Sequence, residues 1–315
     1  MRAKLLRTAL ARTVSAAACL LLALAPGSVL AQTRDGVVVA SKIDTEGALL
    51  GNMIVLLLER AGVPVENRVG LGPTKMVRAA LLSGEIDIYP EYTGNGAFFH
   101  GMENDPVWKS APSAFETVKR LDRERHNLVW LDRAPANNTW AIAVRGDLAR
   151  SERLSTMQDF AALVRKGGVL KLAGSAEFVE SPAALPSFER TYGFQMPRGD
   201  VVVLPGGDTA VTMRAAAQRI RGVNAAMVYG TDGAIAALDL VVMEDAKGAQ
   251  IVYEPAPVVR AAVLERHPAI GPLLSRAYSS LTLNRLQSLN AQVAVEGKAP
   301  RDVARAFLEQ DRLLR

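Results

Sequence analysis

The segment that most constrains the fold of this chain is residues 84–96, which read GEIDIYPEYTGNG. Apolar and polar residues alternate from Ile86 to Tyr89, which is the period-2 pattern of a strand. Pro90 has no backbone N–H, so we expect the strand to stop there, before acidic, aromatic and hydroxyl side chains. Ligands of open α/β sheets bind where strands end, so the segment predicts a site at a sheet edge. Alternatively, its tyrosines only cover the core.

Residues 1–31 are predicted to be a cleaved signal peptide that sends the chain to the periplasm. Four basic residues and no acid precede the apolar run 14–24, which is shorter than the about 20 residues that span a bilayer as a helix. Val29, Leu30 and Ala31 offer small or modest side chains where a signal peptidase reads, so we expect cleavage after Ala31. The length of the run argues against the alternative, an uncleaved anchor.

Charge and cysteine content exclude several classes of function. The chain has 37 Lys and Arg and 32 Asp and Glu, a net charge of +5, and removing the four basic residues of the leader leaves 33 against 32. A nearly neutral exported chain is not expected to bind nucleic acid. Cys19, the only cysteine, lies in the leader, so disulfides and thiolate catalysis are not expected. The remaining length favours two lobes over one core.

Strands and helices alternate along the rest of the chain. Thr45 is expected to cap the first helix, and Pro73 to occupy the first position of the second. Short strands separated by helices predict parallel βαβ units. Besides the segment described first, the predicted strands are 37–41, 68–71, 128–131, 140–144, 170–173, 201–204 and 224–228. The predicted helices are 45–61, 73–82, 112–125, 157–165, 183–192, 208–220 and most of 261–315.

Two segments read as crossings between lobes rather than as regular elements. Residues 134–139 are small and polar, and residues 253–257 contain two prolines. We therefore expect an α/β chain of two strand–helix lobes with a two-segment hinge and a ligand cleft between them. Lobe I would comprise 32–137 and 255–315, and lobe II would comprise 138–254.

The sequence contains no recognised catalytic, metal or phosphate motif. It lacks a Gly-x-Ser-x-Gly elbow, a His-Glu-x-x-His pair and a Gly-x-x-x-x-Gly-Lys loop, so neither an enzyme nor a cofactor or metal site is expected. His100, His126 and His267 are expected to be solvated, because none is paired with a carboxylate at helical spacing. The segment GLGPTK starts like a dinucleotide loop but ends in Lys75, which favours a tight strand–helix turn.

Seven motifs in order resemble the osmoprotectant-binding proteins of ABC importers, the glycine betaine/choline group, and in particular their YehZ (OsmF) type. The motifs are SKIDTEG at 41–47, GLGPT at 70–74, DIYPEYTGNGAFF at 87–99, APANNTW at 134–140, SAEF at 175–178, GGDTAV at 206–211 and YGTDG at 229–233. The resemblance implies a type II periplasmic binding protein fold and a quaternary ammonium ligand. It also implies delivery to a permease driven by an ATPase, and we expect a monomer.

The ligand chemistry fits the residues that the resemblance points to. A trimethylammonium group has no hydrogen-bond donor, and aromatic faces hold it at about 0.5–2 kcal/mol per contact. By resemblance, Tyr92, Trp140 and Tyr229 present such rings. Tyr89 is a fourth candidate, or else a core residue.

The carboxylate of a betaine needs donors as well. Lys42, the first N–H groups of the helix near Thr45, and Asn95 are the candidates. The resemblance places three further residues along the cleft: Asn138, Thr231 and Asp232. Asp232 either faces the cation or caps a helix.

Two departures from the family pattern concern the ligand. Relatives often carry an arginine where this chain reads Val179-Glu180-Ser181, and a tyrosine at the position of Met213, for which core packing is the favoured interpretation. Losing a bidentate donor removes about 1.5–3 kcal/mol of charge-assisted bonding. We therefore expect weak betaine binding or a related ligand. An exported enzyme on the same scaffold, or a ligand sensor without a permease, remain the alternatives.

Overall fold

The computed structural model describes residues 36–167, 169–204 and 209–314. The predicted signal peptide, its cleavage point after Ala31, and Cys19 lie outside the described residues, as do the first three residues of the GGDTAV motif. Among the helices of the described ranges, none combines the length and the apolar character that crossing a membrane requires.

Strands and helices alternate as the sequence predicts. The strands are β1 (Val37–Lys42), β2 (Val65–Gly72), β3 (Ile88–Tyr92), β4 (Leu128–Trp130), β5 (Trp140–Arg145), β6 (Leu172–Ser175), β7 (Val201–Leu204), β8 (Ala225–Tyr229), β9 (Leu240–Val242) and β10 (Pro255–Arg260). The helices are α1 (Thr45–Arg60), α2 (Thr74–Ser83), α3 (Asn95–Phe99), α4 (Ala111–His126), α5 (Gly146–Glu152), α6 (Met157–Arg165), α7 (Ala176–Glu180), α8 (Leu185–Tyr192), α9 (Thr209–Ala217), α10 (Ala234–Ala237), α11 (Ala261–Arg266), α12 (Ile270–Ser279), α13 (Leu283–Ala294) and α14 (Pro300–Gln310).

The strands form two five-stranded sheets, one in each lobe. The first sheet has the order β2-β1-β3-β10-β4, and the second has the order β7-β6-β8-β5-β9. Strands β1, β2 and β3 are parallel, as are β6, β7 and β8, whereas β10 and β5 run antiparallel to their neighbours. The predicted parallel βαβ units are confirmed, and each sheet also contains an antiparallel strand through which the chain returns, which the sequence did not predict. The predicted lobe boundaries at 137/138 and 254/255 stay a prediction.

Pro90 lies within β3, so the prediction that the strand stops there is wrong. Backbone bonds from Thr93 N to Glu254 O and from Arg260 N to Asp87 O fix which pairs of β3 and β10 exchange hydrogen bonds. Pro90 lies opposite Pro257 in this register. In an antiparallel ladder, opposite residues alternate between pairs that are hydrogen-bonded and pairs that are not, and Pro90–Pro257 is a pair that is not. No donor between the two strands is therefore missing. The same register includes residues 255–257 in β10, which the sequence had assigned to a crossing.

Several predicted element ends move by a few residues. Asp44, rather than Thr45, caps α1, because its Oδ1 accepts the Gly47 N–H at 2.7 Å. Pro73 is the cap residue of α2 rather than its first helical residue. Gly84 ends α2 at φ 78°, a left-handed conformation that glycine adopts without strain. The predictions for α6, β7 and a helical C-terminal region are confirmed.

The prediction of solvated histidines is wrong for His100. Its side chain is 1% exposed, and Nε2 lies 3.1 Å from Asp122 Oδ1. The same buried carboxylate accepts a bidentate pair of bonds from Arg78 and a third from Trp130 Nε1 at 2.7 Å. Burial lowers the pKa of His100 despite the nearby carboxylate. This network connects α2, α4 and β4.

Helix α1 is the centre of the first lobe. Twelve of its sixteen residues are buried, and α12, α13 and α14 pack against it. A helix buried on nearly every side is held in place by its neighbours. Its N-terminus, with Asp44 and Glu46, is thereby fixed beside the end of β1.

Candidate functional site

Glu91 is the centre of a buried polar cluster at the end of β3. Its side chain is fully buried, and Oε1 lies 2.6 Å from Lys42 Nζ at the end of β1. Asn95 Nδ2 and the Tyr92 N–H each donate to the same oxygen at 2.7 Å, and the Tyr89 hydroxyl donates to Oε2 at 2.8 Å. Four donors therefore stabilise one buried carboxylate. Lys42 Nζ also lies 4.4 Å from the centre of the Tyr92 ring.

Glu46 is the centre of a second cluster, in the first turn of α1. Its Oε1 accepts from the Tyr92 hydroxyl at 2.7 Å and from Asn138 Nδ2 at 3.1 Å. Its Oε2 accepts from Asn290 Nδ2 at 2.7 Å, and the same nitrogen lies 2.9 Å from the Thr231 carbonyl oxygen. Burial raises the pKa of Glu46 to about 7. The hydrogen bonds to Glu46 favour the charged form and so oppose this rise, but they are the weaker effect.

The second sheet contributes a pair of aromatic rings. Trp140 on β5 and Tyr229 on β8 are register partners, with ring centres 6.4 Å apart and planes at 17°. Phe178 supports the indole edge-to-face, with ring centres 6.2 Å apart. Phe178 is itself fully buried in the core of the second lobe beside Phe188, and Ser175 caps α7 by accepting the Phe178 N–H. The core of the second lobe therefore positions Trp140.

The turn after β8 brings the two sheets together. Asp232 Oδ2 accepts the Tyr229 N–H at 2.8 Å and closes the turn. Gln287 Nε2 of α13 donates to the Gly230 carbonyl at 2.7 Å. A Cβ on Gly233 would overlap the backbone of Ala291, so only glycine lets α13 approach this closely. Helix α13 therefore docks on the turn that carries Thr231 and Asp232.

Tyr253, between the two sheets in sequence, belongs to the same region. Burial raises the pKa of its phenol, and Tyr229, Glu91 and Glu177 raise it further. A Cβ on Gly94 would lie 2.8 Å from the Tyr253 ring, so the absence of a side chain there admits the ring. Tyr253 therefore lies close to groups from both sheets.

Carboxylates near the aromatic rings raise the pKa values of two tyrosines. Burial raises the pKa of Tyr229, and the charges of Glu177, Asp232 and Asp44 raise it further. Burial also raises the pKa of Tyr92, followed by the charges of Glu46 and Asp44. Asp44 thus acts on a phenol from each sheet, which indicates that Tyr92 and Tyr229 face a common region.

The eight predicted site residues fall into connected groups. Lys42, Tyr92 and Asn95 meet at Glu91, and Tyr92 meets Asn138 at Glu46. Thr231 joins the second group through Asn290. Trp140 and Tyr229 form the ring pair, and Asp232 closes the adjoining turn. Which of these residues contact a ligand stays a prediction.

Two other predicted positions, Tyr89 and Met213, have plain structural roles. Tyr89 is fully buried and bonded to Glu91 in the core, the second of its two predicted roles. Met213 is 3% exposed and packs in the core of the second lobe with Ala215 and Val223, as favoured from the sequence. No helix cap is formed by Asp232, since Gly233 is the cap residue of α10.

Sequence reasoning missed Glu46, Asn290 and Tyr253, and it named Glu91 only as one polar residue among several. Glu46 carried a weak signal, because acids favour the first turn of a helix. Asn290 carried none, because it meets Glu46 from 244 residues away. The described residues also contain no cluster of three or more side chains suited to a metal ion.

A family model for the substrate binding domain of the ABC-type glycine betaine transport system, OpuAC, matches residues 35–310. The chain belongs to this family. The resemblance that the seven motifs carry is thereby confirmed. The family is one of substrate-binding domains of transport systems, and its match spans both lobes.

Individual relatives are similar to this chain over most of its length. The glycine betaine-binding protein YehZ of Escherichia coli (strain K12) is 53% identical over 290 residues, which are 92% of this chain and 95% of YehZ. A glycine-betaine-binding protein of Pseudomonas aeruginosa PAO1 is 31% identical over 282 residues, 88% of each chain. The solved structure of apo YehZ from Escherichia coli has a TM-score of 0.82 at 53% identity and covers 89% of this chain and 100% of that one. The predicted type II periplasmic binding protein fold is confirmed.

Proposed function

We propose that this OpuAC-family protein is a periplasmic solute-binding protein of an ABC importer and captures glycine betaine or a related quaternary ammonium compound. The family match and the names of its relatives support this assignment. The structural observation that carries it is the near-parallel pair of Trp140 and Tyr229 beside a group of carboxylates.

The chemistry of the ring pair suits a cation that cannot donate hydrogen bonds. The faces of indole and phenol attract a trimethylammonium group at about 0.5–2 kcal/mol per ring. The charges of Glu177, Asp232 and Asp44 near Tyr229 add long-range attraction for a cation. A ligand held in this way needs no catalytic group, so the protein acts by binding and release and not as an enzyme.

The proposed site combines the predicted residues with one that the structure adds. Its members are Lys42, Tyr92, Asn95, Asn138, Trp140, Tyr229, Thr231, Asp232 and Tyr253. The first three act mainly by shaping the wall of the site, because their polar groups are already bonded within the protein. Tyr253 adds a further ring to the proposed site, since, after burial, the charges of Tyr229 and Glu91, one from each sheet, raise its pKa.

The partners follow from the same assignment. The protein is proposed to be exported by its cleaved signal peptide and to work as a monomer. Lobe I (32–137 and 255–315) and lobe II (138–254) are proposed to close on the ligand about the two crossings. The closed protein then delivers the ligand to a permease driven by an ATPase.

Isothermal titration of the purified protein tests the ligand class. Glycine betaine, choline and carnitine are the ligands, and 3,3-dimethylbutan-1-ol, an uncharged molecule of the same shape as choline, is the control. We expect binding of at least one quaternary amine and none of the alcohol, because the attraction to the rings requires the charge. If all three amines fail to bind up to millimolar concentration, the proposed function is wrong.

A further inference from the structure

The second sheet has a far end that lies away from the proposed ligand site. Strand β5 starts at Trp140, beside Tyr229, and ends at Arg145, so its six residues separate the two ends by about 17 Å. Residues 169–171 lead into β6 and residues 218–224 lead into β8, and both strands begin at the end where β5 stops. We call these two segments together the basic end.

The basic end is a connected surface that carries positive charge. Asn224 joins its two segments, because Nδ2 donates to the Val169 carbonyl and Oδ1 accepts the Lys171 N–H, each at 2.8 Å. Its charged residues are Lys171, Arg219 and Arg221, and neither segment contains an acid. Lys171 and Arg221 form no ion pair and donate no side-chain hydrogen bond to any residue in the described part of the chain. Two cations of this surface are therefore available to a partner.

The turn after α9 presents its arginines on a strained backbone. Residues 218–222 are all exposed, and Arg219 and Arg221 both have a φ of 53°, in the left-handed region. This conformation is uncommon for a residue with a Cβ, and strained backbone of this kind is concentrated at functional sites. Ile220 lies between the two arginines and is 47% exposed, and Val169 on the neighbouring segment is 83% exposed. Apolar side chains therefore project beside the cations.

A cavity of about 460 Å³ opens at the basic end, and Arg145 and Arg219 are among the residues that line it. Asp147 lines it as well and is bonded to both arginines. Arg219 uses only Nη2 for this bond, so its other N–H groups have no acceptor among the described residues. The planar guanidinium group matches the oxygens of a phosphate, which suits this cavity to a phosphate group.

Basic residues near helix ends also have a structural explanation, because they offset the helix dipole. Arg145 and Arg165 have this role, since they bond to carbonyl oxygens at the ends of α9 and α8. Lys171 and Arg221 make no such bond among the described residues, and the exposure of Ile220 contributes nothing to a helix end. Capping therefore does not account for the basic end.

We propose that the basic end is an interaction surface for an anionic phospholipid bilayer, which goes beyond the proposed function and uses the face opposite the ligand site. Lys171, Arg219 and Arg221 meet the lipid phosphates, and Ile220 and Val169 enter the border of the acyl region. Reversible membrane binding combines basic residues with buried apolar area in this way. The predicted export places the chain beside bilayers and away from nucleic acid, the other extended phosphate surface.

Sedimentation of the purified protein with vesicles tests this proposal. The vesicles contain phosphatidylcholine with or without about one third phosphatidylglycerol. Free choline in excess is present in every sample, so that phosphatidylcholine headgroups do not engage the ligand site. We expect at least about tenfold tighter binding to the anionic vesicles, since each basic residue near the surface contributes about fivefold. Raising the salt concentration to about 0.5 M should weaken it.

Equal binding to both kinds of vesicle, or binding to neither, overturns the proposal. Retention by peptidoglycan without binding to anionic vesicles overturns it as well. The titration with quaternary amines is a separate measurement, so failure of the membrane proposal leaves the proposed function standing.

Variants at the basic end test which residues make the contact. Arg221→Gly should weaken binding to anionic vesicles about fivefold without lowering the melting temperature, because glycine adopts the left-handed conformation without strain. Ile220→Ser should weaken binding at least about threefold. The matched controls are Arg276→Gln and Arg305→Gln, exposed arginines of α12 and α14, and Val295→Ser, whose side chain is 52% exposed. The controls should bind vesicles as the native protein does. Native binding by both Arg221→Gly and Ile220→Ser contradicts the proposal.

Discussion

The buried carboxylate of Glu46 connects three separate parts of the chain through hydrogen bonds. Its two oxygens accept from Tyr92, Asn138 and Asn290, which come from a strand, a crossing and a C-terminal helix. Burial disfavours the charge while the three donors favour it, and burial prevails, since the pKa rises to about 7. The protonation of this group therefore changes near neutral pH.

Replacing Glu46 by Gln should change how stability depends on pH. In the native protein the folded-state pKa of Glu46 is above its ordinary value of 4.5, so the folded state binds the proton more tightly. The free energy of unfolding then falls as pH rises from about 4.5 to about 7, by roughly 3 kcal/mol in total. Glu46→Gln removes this fall. Urea denaturation at roughly pH 5 and pH 8 measures both slopes.

The charged groups that face Glu46 do not reverse this sign. Asp44 on the same turn raises its pKa further, and the phenols of Tyr92 and Tyr278 titrate well above the range of the experiment. The amide of Gln keeps one acceptor, and Asn290 can turn its unpaired Oδ1 toward the new N–H groups. Parallel pH slopes in the native protein and the variant would refute the assignment of the titration to Glu46.

Trp140→Ala should weaken ligand binding much more than it weakens the fold. The indole is half-buried and contacts Tyr229 and Phe178, so its loss removes a cation-binding face. We expect an affinity loss of about two- to thirtyfold, which corresponds to the loss of a cation–π contact of about 0.5–2 kcal/mol. Titration calorimetry and thermal melting measure the two effects.

Trp108→Phe is the control for this experiment. Trp108 is fully buried in the first lobe beside Gly96 and Val118, away from the ring pair. Its variant should melt at a lower temperature and keep the affinity of the native protein. If Trp140→Ala keeps its affinity, Trp140 does not belong to the site.

At the scale of single elements, local sequence patterns predicted the helices and strands whose bounds depend on neighbouring residues in the sequence. Helix α6 begins with a capping box of Thr156 and Asp159 and has its predicted bounds. Strand β7 is a run of valines and also has its predicted bounds. The position of Pro90 inside β3 was missed, because its tolerance depends on facing Pro257 across 167 residues of chain. Elements as short as β9 and α10 were missed because three or four residues show no period.

In the candidate site, too, residues within local sequence motifs were predicted, whereas partners that are distant in sequence were not. Rings and polar groups that lie in motifs, such as Trp140 and Tyr229, were found from the sequence. Their partners Asn290 and Glu46 were not, because only the folded chain brings them together. The sequence also suggested Lys42 as a donor for a ligand, and it could not show that Glu91 occupies this lysine.

Asp44→Ala should destabilise α1, and Thr45→Ala should not. Asp44 accepts the Gly47 N–H, whereas Thr45 is exposed and is already the first helical residue. Loss of an N-cap typically costs about 1 kcal/mol. Chemical denaturation of both variants measures the difference. Equal losses in the two variants would contradict the position of the cap.

At the scale of the whole molecule, α13 joins the two lobes. It reaches the turn after β8 through Gln287 and Asn290, which bond to the carbonyls of Gly230 and Thr231. The same Asn290 bonds to Glu46 at the start of α1. The approach of one lobe to the other is therefore linked directly to the groups that surround the proposed ligand.

Gly233→Ala should disturb this contact. A Cβ at this position would overlap the backbone of Ala291, and a backbone cannot turn aside as a side chain can. Overpacking of this kind costs about 1–3 kcal/mol, and we expect both a lower melting temperature and a weaker affinity for the ligand. Thermal melting and titration calorimetry of the variant measure them. Gly199→Ala is the control, because a Cβ there meets no atom within 4 Å. Native-like melting and affinity in Gly233→Ala would show that α13 does not govern closure.

The prolines at the centre of the first sheet help to set the register of the strands that carry the proposed site. Pro90 on β3 and both Pro255 and Pro257 on β10 occupy positions that exchange no bonds between the two strands. If either strand shifted by a single residue, imino nitrogens would stand where donors are required, and each orphaned carbonyl would cost about 1 kcal/mol or more. A shift of β3 would also move Glu91 to the opposite face of the sheet. The register of these two strands therefore depends on residues that donate no backbone hydrogen bond.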